Sequence, residues 1–332
     1  MNVSELQTPA LLIDADALEH NLSTMSEALP GSRLRPHVKA HKCTSLASAQ
    51  RAHGHRAFTC ATPREVLGMM AAGLGDDVLL ANETLDPARL SAMAAVQDHG
   101  VITVAVDSRA TIDAAAAAGI RYVLIDVNVG LPRCGCKPSD AGHLADRARS
   151  RGMVVRGVMG YEGHLMGVAD RVEQRARVAE AMEKLIVASL LVGGEIISAG
   201  GTGTYDLHDQ VTEIQAGSYA LMDTHYGGRG HPFRQACFVL ATVISVNADY
   251  AVADAGLKTQ GMDHGNPAID GAAVRFLSDE HVTFAPATPA AVGDRVKLIP
   301  AHIDPTMAMH EAAWLVRGDD VIERWPIDLR GW

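Results

Sequence analysis

The sequence predicts an α/β protein, a (β/α)8 TIM barrel followed by a C-terminal β domain. Its 332 residues provide for a barrel of roughly 250 residues and a smaller unit. From about residue 34 to 220, short β-branched runs alternate with Ala-rich amphipathic stretches, a pattern typical of βα units and a parallel sheet. After about residue 233 the runs are short and β-like, with hardly any helical period.

The barrel region contains eight strand candidates separated by helical segments. Gly73, Gly119 and Gly152 follow three of these segments, and glycine directly after a helix is a common stop signal. Eight parallel strands predict a closed barrel, because that number closes this fold. The predicted strands are Leu34 to Val38, Ala57 to Ala61, Asp77 to Ala81, Ile102 to Asp107, Tyr122 to Val127, Val154 to Tyr161, Glu195 to Ala199 and Glu213 to Tyr219.

The remaining segments complete a two-domain prediction. Residues 1–33, with a strand at TPALLID and a helix from Ala15 to Leu29, precede the barrel as a preamble. The character of the sequence changes in the Gly- and Pro-bearing stretch from Tyr226 to Pro232. We therefore predict a barrel domain at residues 1–230, preamble included, and a C-terminal β domain at residues 231–332.

Composition argues against several partners and locations. Hydrophobic residues make up 48% and charged residues 20% of the chain, which predicts a large core and not a disordered protein. A net charge of -10 without a long basic run argues against nucleic acid. The N-terminus lacks a basic start and an apolar core, and no stretch of about 18 apolar residues occurs, so we expect a cytoplasmic protein without membrane contact. The five scattered cysteines indicate reduced thiols.

Basic residues cluster where the first predicted strand ends. The segment contains His37, Lys39, His41 and Lys42, and active sites of this fold form at the carboxyl ends of the strands. A partly desolvated lysine at the mouth of an apolar barrel favours the neutral amine that imine formation needs. Taken alone, solvated basic residues in a loop are the better interpretation, since lysine is mostly exposed.

Two loops rich in glycine and hydroxyl groups face this lysine in the predicted barrel. Strand seven leads into residues 198–204 and strand eight into residues 216–219, and loops at these positions frequently bind a phosphate. Glycines let backbone N–H groups approach an anion, and hydroxyls add donors. One such loop is a weak signal, but two of them opposite a lysine predict a phosphorylated aldehyde cofactor, pyridoxal 5′-phosphate (PLP).

PLP also needs partners for its phenolate and its pyridine nitrogen. Arg133, after the fifth strand, is a candidate donor to the phenolate, and Tyr161, at the end of the sixth, is a candidate neighbour of the ring nitrogen. An exposed arginine and a barrel-packing tyrosine are at least as good interpretations of these two residues when each is considered alone.

A histidine and an aspartate in the C-terminal domain form a candidate metal pair. If residues 295–304 form a strand, His302 and Asp304 project from one face of it. An imidazole and a carboxylate can bind Zn2+ or Mn2+ and leave positions open for water or substrate. From spacing alone, a surface histidine and a turn-starting aspartate before Pro305 remain the better interpretation.

Seven motifs spread over nearly the whole chain resemble those of one family. They are TPALLID (8–14), LRPHVKAHK (34–42), GLPRCG (130–135), GGTGTYD (200–206), TEIQAGSY (212–219), DAGLK (254–258) and HIDPT (302–306). The sequence is similar to the fold-type III PLP enzymes, in particular the branch that holds D-threonine aldolase, 3-hydroxy-D-aspartate aldolase and D-serine dehydratase. The N-terminal barrel of that family is alanine racemase-like.

The resemblance implies a role for each candidate near the cofactor. Lys39, and not Lys42, would carry PLP as a Schiff base, with Arg133 at the phenolate and Tyr161 near the ring nitrogen. The phosphate contacts would come from Gly201, Thr202, Gly217 and Ser218.

The resemblance also implies a divalent metal, Mn2+, Mg2+ or Zn2+, at His302 and Asp304. In the dehydratase members the second ligand is usually a cysteine, so Asp304 favours an aldolase. The segment around His164 departs from the aldolase pattern, in which a histidine lies a few residues further along from the tyrosine. His164 is therefore one candidate general base, beside a metal-bound hydroxide.

These roles predict a lyase that acts on D-β-hydroxy-α-amino acids, and the resemblance to the family implies a homodimer. If the metal-bound 3-hydroxyl loses its proton, the Cα–Cβ bond breaks and gives glycine and an aldehyde, the D-threonine aldolase reaction. If Lys39 instead removes the α-proton and hydroxide leaves, the products are a keto acid and ammonia, the reaction of a D-serine or D-threo-3-hydroxyaspartate dehydratase.

Three other functions stay open at this level. They are a non-catalytic PLP-binding protein, an amino-acid racemase, and a Schiff-base aldolase of sugar phosphates without PLP. PLP carriers resemble bare barrels, so a C-terminal domain with a metal pair favours an enzyme.

Overall fold

Two β sheets organise the structure, a computed structural model that describes residues 1–332. The strands are β1 (Ala10–Asp14), β2 (Ala57–Cys60), β3 (Asp77–Leu80), β4 (Val101–Val106), β5 (Tyr122–Asp126), β6 (Val154–Met159), β7 (Ile196–Ala199), β8 (Glu213–Ile214), β9 (Cys237–Val246), β10 (Ala251–Ala253), β11 (Ala268–Ile269), β12 (Ala272–Leu277), β13 (Val282–Pro286), β14 (Arg295–Ile299), β15 (Ala312–Arg317) and β16 (Asp320–Pro326). The helices are α1 (Ala15–Ala28), α2 (Thr44–Ala52), α3 (Pro63–Ala71), α4 (Pro87–Ala95), α5 (Arg109–Ala118), α6 (Ala141–Ser150), α7 (Arg171–Val192) and α8 (Ile303–Met309). None of these helices has the length and apolar character that a membrane span requires.

The chain folds into two units, neither of which is continuous in sequence. The barrel unit comprises residues 25–39, 46–217 and 331–332, and the β unit comprises residues 1–24, 40–45 and 218–330. The predicted division at residue 230 separates most of the two units but places residues 1–24 with the barrel. They belong to the β unit because β1 pairs with β9 and β15 in its sheet.

The barrel unit is built on a parallel sheet of seven strands, β2 to β8, paired in sequence order. Its strands are largely buried; Val78, Leu80, Val104 and Val106, for example, are fully covered, as expected where helices cover a parallel sheet. β2 to β7 agree with the predicted strands to within two residues, and β8 is shorter than predicted. The α/β prediction is therefore confirmed.

The first predicted strand, Leu34 to Val38, does not form a regular strand. Leu34 makes an isolated bridge to Ile214 and His37 makes one to Thr59. The segment joins both edges of the sheet through a few backbone hydrogen bonds, two on the β8 side and one from the Thr59 N–H to the Pro36 carbonyl. Proline has no N–H to give to a ladder, and Pro36 stands in the middle of the segment. Residues 38–40 then turn into a 3-10 helix. A closed barrel of eight regular strands is thus confirmed only in part.

Local sequence signals set the helix ends of the barrel unit. The Thr62 hydroxyl accepts the N–H of Glu65, and the Glu65 carboxylate accepts that of Thr62, so a capping box starts α3. Helix α5 ends at Gly119, whose φ of 84° lies in the left-handed region that glycine adopts without strain. The end at Gly119 is the one that the sequence predicts.

The β unit is organised by its long strand β9. The first half of β9 pairs with β1, its middle with β14, and its second half with β10. Because β10, β13, β12, β11 and β14 pair in that order, they form a closed antiparallel ring with β9. β1, β15 and β16 extend the sheet from β9. The prediction of a C-terminal β domain is therefore confirmed, with β1 as an addition from the N-terminus.

A buried charge network links the strands of the barrel unit. Arg35 is 2% exposed and pairs with Asp77 at 3.2 Å and Glu213 at 2.8 Å, while Arg156 pairs with Asp77 at 2.8 Å. Burial alone would raise the pKa of Asp77, but the hydrogen bond from Arg156 and the charge of Arg35 hold it below its usual value. Asp77 thus stays ionised between two arginines, and its removal would leave buried charge uncompensated.

We predict that Asp77→Asn lowers the free energy of unfolding by about 3 kcal/mol at pH 7, measured by urea denaturation. A depressed carboxyl pKa contributes stability above the unfolded pKa, so the difference from wild type should shrink as pH falls below about 4. Asp76→Asn is the matched control, because Asp76 makes exposed pairs with Arg51 and Arg56, and such pairs contribute about 0.2–1 kcal/mol. Equal losses for the two variants would contradict the prediction.

Candidate active site

Lys39 directly follows the segment Leu34 to Val38, which bridges the two edges of the parallel sheet in the barrel unit. It is the middle residue of the 3-10 helix Val38–Ala40 and is half-buried. Its Nζ lies 5.9 Å from the ring centroid of Tyr161. Lys42 belongs instead to residues 40–45 of the β unit and has a left-handed φ of 49°. The two lysines of the motif therefore occupy different backbone environments.

The Tyr161 ring is the point where the predicted cofactor residues of the barrel unit meet. Tyr161 follows β6, and Arg133, in the loop after β5, places its Cζ 5.4 Å from the ring centroid. A Cβ at Gly201 would lie 3.4 Å from Tyr161 Cε2 and 3.0 Å from Met166 Sδ. The structure thus brings Lys39, Arg133, Tyr161 and Gly201 together at the carboxyl ends of the strands.

The glycine loop after β7 is held by hydrogen bonds to a buried carboxylate, Glu162, which the sequence did not indicate. Glu162 is fully buried; its Oε2 accepts the N–H of Gly200 at 3.2 Å, and its Oε1 accepts the Thr204 hydroxyl at 2.7 Å. His208 Nε2 lies 2.9 Å from the same Oε1. The N–H of Gly201 donates to Thr204 Oγ1 at 3.3 Å, so Gly201 would serve a ligand mainly through the space left by its missing side chain.

The charge of Glu162 is maintained by its partners. Burial alone would raise the pKa of Glu162, but its bonds with His208 and Thr204 hold it below its usual value. The loop of residues 200–204 therefore rests on an ionised carboxylate. The only sequence signal for this role is the position of Glu162 directly after Tyr161, at the end of a barrel strand.

His164 lies on the loop that follows Tyr161, in the 3-10 helix Gly163–Leu165. A Cβ at Gly130 would approach His164 Cε1 to 2.9 Å, so the imidazole lies against the loop that carries Arg133. Burial and the charge of Arg177 lower the pKa of His164. Its imidazole is therefore neutral at pH 7 and can accept a proton.

A second group of titratable residues lies at the end of β5 and in the loops that follow β3 and β5. Asp126 is buried, and burial together with the neighbouring Glu83 carboxyl raises its pKa well above the usual value. Burial raises the pKa of Cys134 to about 11 and that of Cys136 to about 12. Both thiols are free and protonated at neutral pH, and the thiolate is the form that binds metals.

The metal pair lies in the β unit, but not on a strand. The prediction of a strand over residues 295–304 is wrong beyond Ile299, because β14 ends there and α8 begins at Ile303. Pro300 cannot donate to a ladder, and Asp223 Oδ2 accepts the N–H of Ile303 at 3.0 Å. His302 is the N-cap residue of α8 and Asp304 lies in its first turn.

This helix start still places the two predicted ligands close together. His302 Nε2 lies 3.9 Å from Asp304 Oδ1, within the ~4.2 Å that two ligands can span when each lies about 2.1 Å from one cation. Both side chains are partly exposed, at 22% and 17%, so a cation between them would keep open positions. Ser218, predicted as a phosphate contact, donates its hydroxyl to Asp304 Oδ1 at 3.3 Å.

Sequence reasoning missed further groups beside this pair. Asp263 Oδ2 lies 2.6 Å from His302 Nδ1, and the His264 ring stacks on the His302 ring with centroids 4.1 Å apart. Asp223 is buried, and burial raises its pKa to about 6. An acid next to a histidine in the Gly-flanked stretch Gly261 to Gly265 was the available signal.

The residues present fit both groups that the motifs imply. In the barrel unit, an amine, an arginine and a glycine loop surround one aromatic ring, which matches the aldehyde, phenolate and phosphate of PLP. In the β unit, an imidazole nitrogen and a carboxylate oxygen converge as they do in divalent metal sites.

Comparison with known proteins decides the family. The alanine racemase N-terminal domain family matches residues 13–225, and the serine dehydratase domain family matches residues 236–316. A D-threonine aldolase from Arthrobacter sp. is 34% identical over 99% of this chain and 94% of its own length. The chain belongs to the alanine racemase-like family of PLP enzymes. The resemblance that the seven motifs indicate is therefore confirmed.

Other members of this family extend the same relation. A 3-hydroxy-D-aspartate aldolase from Paracoccus denitrificans is 32% identical over all of this chain and 94% of its own length. The crystal structure of D-threonine aldolase from Filomicrobium marinum has a TM-score of 0.92 at 35% identity and covers 99% of this chain and 96% of its own. D-threo-3-hydroxyaspartate dehydratase from Delftia sp. HT23 has a TM-score of 0.90 at 27% identity, and the match covers both chains completely.

We predict that Glu162→Gln speeds amide hydrogen exchange in residues 200–204 at least about tenfold. The amide would replace a charged acceptor of the Gly200 N–H and the Thr204 hydroxyl, and a hydrogen bond to a charged group contributes about 1.5–3 kcal/mol. Exchange followed by mass spectrometry measures this effect. Glu173→Gln, which removes an exposed pair with Arg177, is the control and should leave these amides unchanged, whereas unchanged exchange in Glu162→Gln would refute the support role.

Proposed function

We propose that this protein is a PLP- and divalent-metal-dependent lyase of the D-threonine aldolase type, which cleaves D-β-hydroxy-α-amino acids to glycine and an aldehyde. The observation that carries the choice of aldolase is Asp304 beside His302, at a position where dehydratases of this family usually have cysteine. The relatives at 34% and 32% identity are both named aldolases, which supports the same choice.

The barrel unit would hold PLP. Lys39 would attach the cofactor, since its amine lies near the ring of Tyr161. Arg133, whose guanidinium also lies near this ring, would donate to the phenolate. The loop around Gly201 and Thr202, supported by Glu162, and Gly217 after β8 would contact the phosphate. Ser218 is a weaker phosphate candidate than the sequence predicts, because its hydroxyl already donates to Asp304.

The β unit would hold the divalent cation. His302 would offer Nε2 and Asp304 would offer Oδ1, and the remaining coordination positions would stay open for water or a substrate hydroxyl. Imidazole and carboxylate are compatible with Mn2+, Mg2+ or Zn2+. A structure of D-threo-3-hydroxyaspartate dehydratase is described as the metal-free form, which supports a metal in this family.

The two bound groups would supply the chemistry that side chains lack: PLP an electron sink for the carbanion at Cα, and the cation a lower pKa for the 3-hydroxyl. The chain's own residues would bind, orient and move protons. His164, whose imidazole is neutral at pH 7 because of its lowered pKa, would accept the hydroxyl proton. Lys39 would return a proton to Cα when glycine forms.

A dehydratase acting on D-threo-3-hydroxyaspartate or D-serine is the second candidate. Its support is the complete overlap of this chain with the Delftia dehydratase structure at a TM-score of 0.90. Both reactions use the same barrel residues, so the products distinguish them.

We predict that Lys39→Ala abolishes the absorbance of the PLP-bound protein at about 420 nm and reduces activity to background. Borohydride reduction of wild type followed by peptide mass spectrometry should find PLP on Lys39. Lys42→Ala is the matched control and should keep both the absorbance and the labelled Lys39 peptide. PLP attached to Lys42 in wild type would overturn the assignment.

We predict that purified protein with PLP and Mn2+ converts D-threonine to glycine and acetaldehyde, measured by amino-acid analysis and aldehyde trapping. Asp304→Ala should require at least about 100-fold more Mn2+, since even an outer partner of a metal ligand contributes 10–100-fold. Asp270→Asn, in the exposed turn between β11 and β12, is the control and should match wild type. Keto acid from D-threonine or D-serine without glycine would replace the aldolase by the dehydratase.

A further inference from the structure

His302 uses its two ring nitrogens for different partners in the β unit. Nδ1 lies 2.6 Å from Asp263 Oδ2, which is a short, charge-assisted hydrogen bond. Nε2 lies 3.9 Å from Asp304 Oδ1. If Nδ1 carries the proton and donates it to Asp263, Nε2 has a free lone pair on the side of Asp304. The hydrogen bond on one side of the ring therefore decides what the other side can bind.

His264 is close to the same atoms but cannot share their cation. One ligand atom each from Asp263, His264 and His302 lie within 4.8 Å of one another, which by distance alone resembles a three-ligand site. The rings of His264 and His302 are stacked, however, with an interplanar angle of 13° and centroids 4.1 Å apart. An imidazole binds a metal through a lone pair in the plane of its ring, and two stacked planes do not meet at one ion.

The backbone around Asp263 is fixed against the start of α8. Gly261 forms an isolated antiparallel bridge with His302, and its N–H donates to Thr306 Oγ1 at 3.0 Å. The same hydroxyl donates to the carbonyl of His302 at 2.7 Å. A Cβ at Gly261 would lie 2.2 Å from Pro305 Cγ, so only glycine permits this approach. Two residues further on, Asp263 is thereby held beside His302.

We infer that Asp263 is the positioning residue of the metal site, because it fixes the tautomer and orientation of His302 so that Nε2 and Asp304 bind the cation. His264 packs on the face of the His302 ring and does not bind the cation. A carboxylate on the far nitrogen also makes the ligating nitrogen more basic, and loss of such a partner weakens metal binding 10- to 100-fold. The inference rests on the proposed metal pair and adds a residue that does not touch the metal.

The test measures Mn2+ affinity of the full-length, PLP-loaded protein by calorimetry, with metal removed beforehand by chelation. We expect Asp263→Ala to weaken binding about 10- to 100-fold. Asp263→Asn should lose less, because the amide oxygen still accepts the Nδ1–H without the charge. His264→Ala should lose less than His302→Ala, and Asp270→Asn should bind as wild type does.

A second readout is independent of metal and of activity. Nitrogen-15 NMR of the imidazoles in metal-free, PLP-loaded protein reports which ring nitrogen of His302 carries the proton, with His302→Gln used to assign the signals. We expect the Nδ1–H tautomer in wild type and Asp263→Asn, and a shift toward the Nε2–H tautomer in Asp263→Ala. A purely structural role of Asp263 would not change the tautomer while the fold, monitored by circular dichroism, stays intact.

The outcomes separate this inference from the proposed function. If His302→Ala and Asp304→Ala weaken Mn2+ binding but Asp263→Ala does not, the positioning role is overturned and the metal pair stands. If His264→Ala weakens binding as much as His302→Ala, His264 is a ligand and the argument from ring planes is overturned. If neither His302→Ala nor Asp304→Ala changes binding, the proposed metal pair is overturned and the inference with it.

Discussion

Glu162 carries a negative charge in a place without solvent, and the arrangement of the barrel's carboxyl end depends on how that charge is satisfied. Burying a carboxylate costs several kcal/mol unless donors surround it, and here the donors are Gly200, Thr204 and His208. Its neighbour Tyr161 contacts Lys39 and Arg133 from the same turn of chain. Two consecutive residues at the end of β6 therefore contact both the Lys39 amine and the loop after β7.

The barrel was predictable because its signals are local. Alternating apolar runs and helix stop signals such as Gly119 are each determined by a few neighbouring residues, and most predicted strands agree with the sheet for this reason. The first predicted strand forms only isolated bridges, because Pro36 in its middle has no N–H to donate to a neighbouring strand. The strand over residues 295–304 failed for a related reason: alternation continues in the sequence, but Pro300 and the bond from Ile303 to Asp223 turn the chain into a helix.

His302 and Asp304 lie close together, as the sequence predicts, but a helix start and not a strand brings them together. A period of two on a strand and the first turn of a helix both bring residues 302 and 304 near each other, so the sequence indicated the pair without determining its surroundings. Asp263 lies 39 residues from His302 in the chain, and no spacing rule connects them. Its contact follows from the bridge at Gly261, which only the folded β unit creates.

The position of β1 has a consequence for how this chain is made. β1 pairs with β9 and, in parallel, with β15, which is synthesised about 300 residues after it. At about 5–20 residues per second, the nascent strand waits roughly 15–60 s for its last partner. Its sequence, ALLID, is largely apolar and becomes almost fully buried, so the edge of β1 that β15 covers stays unpaired until β15 is made. The sheet of the β unit can therefore be completed only after β15 has been made, and slow translation would prolong that interval.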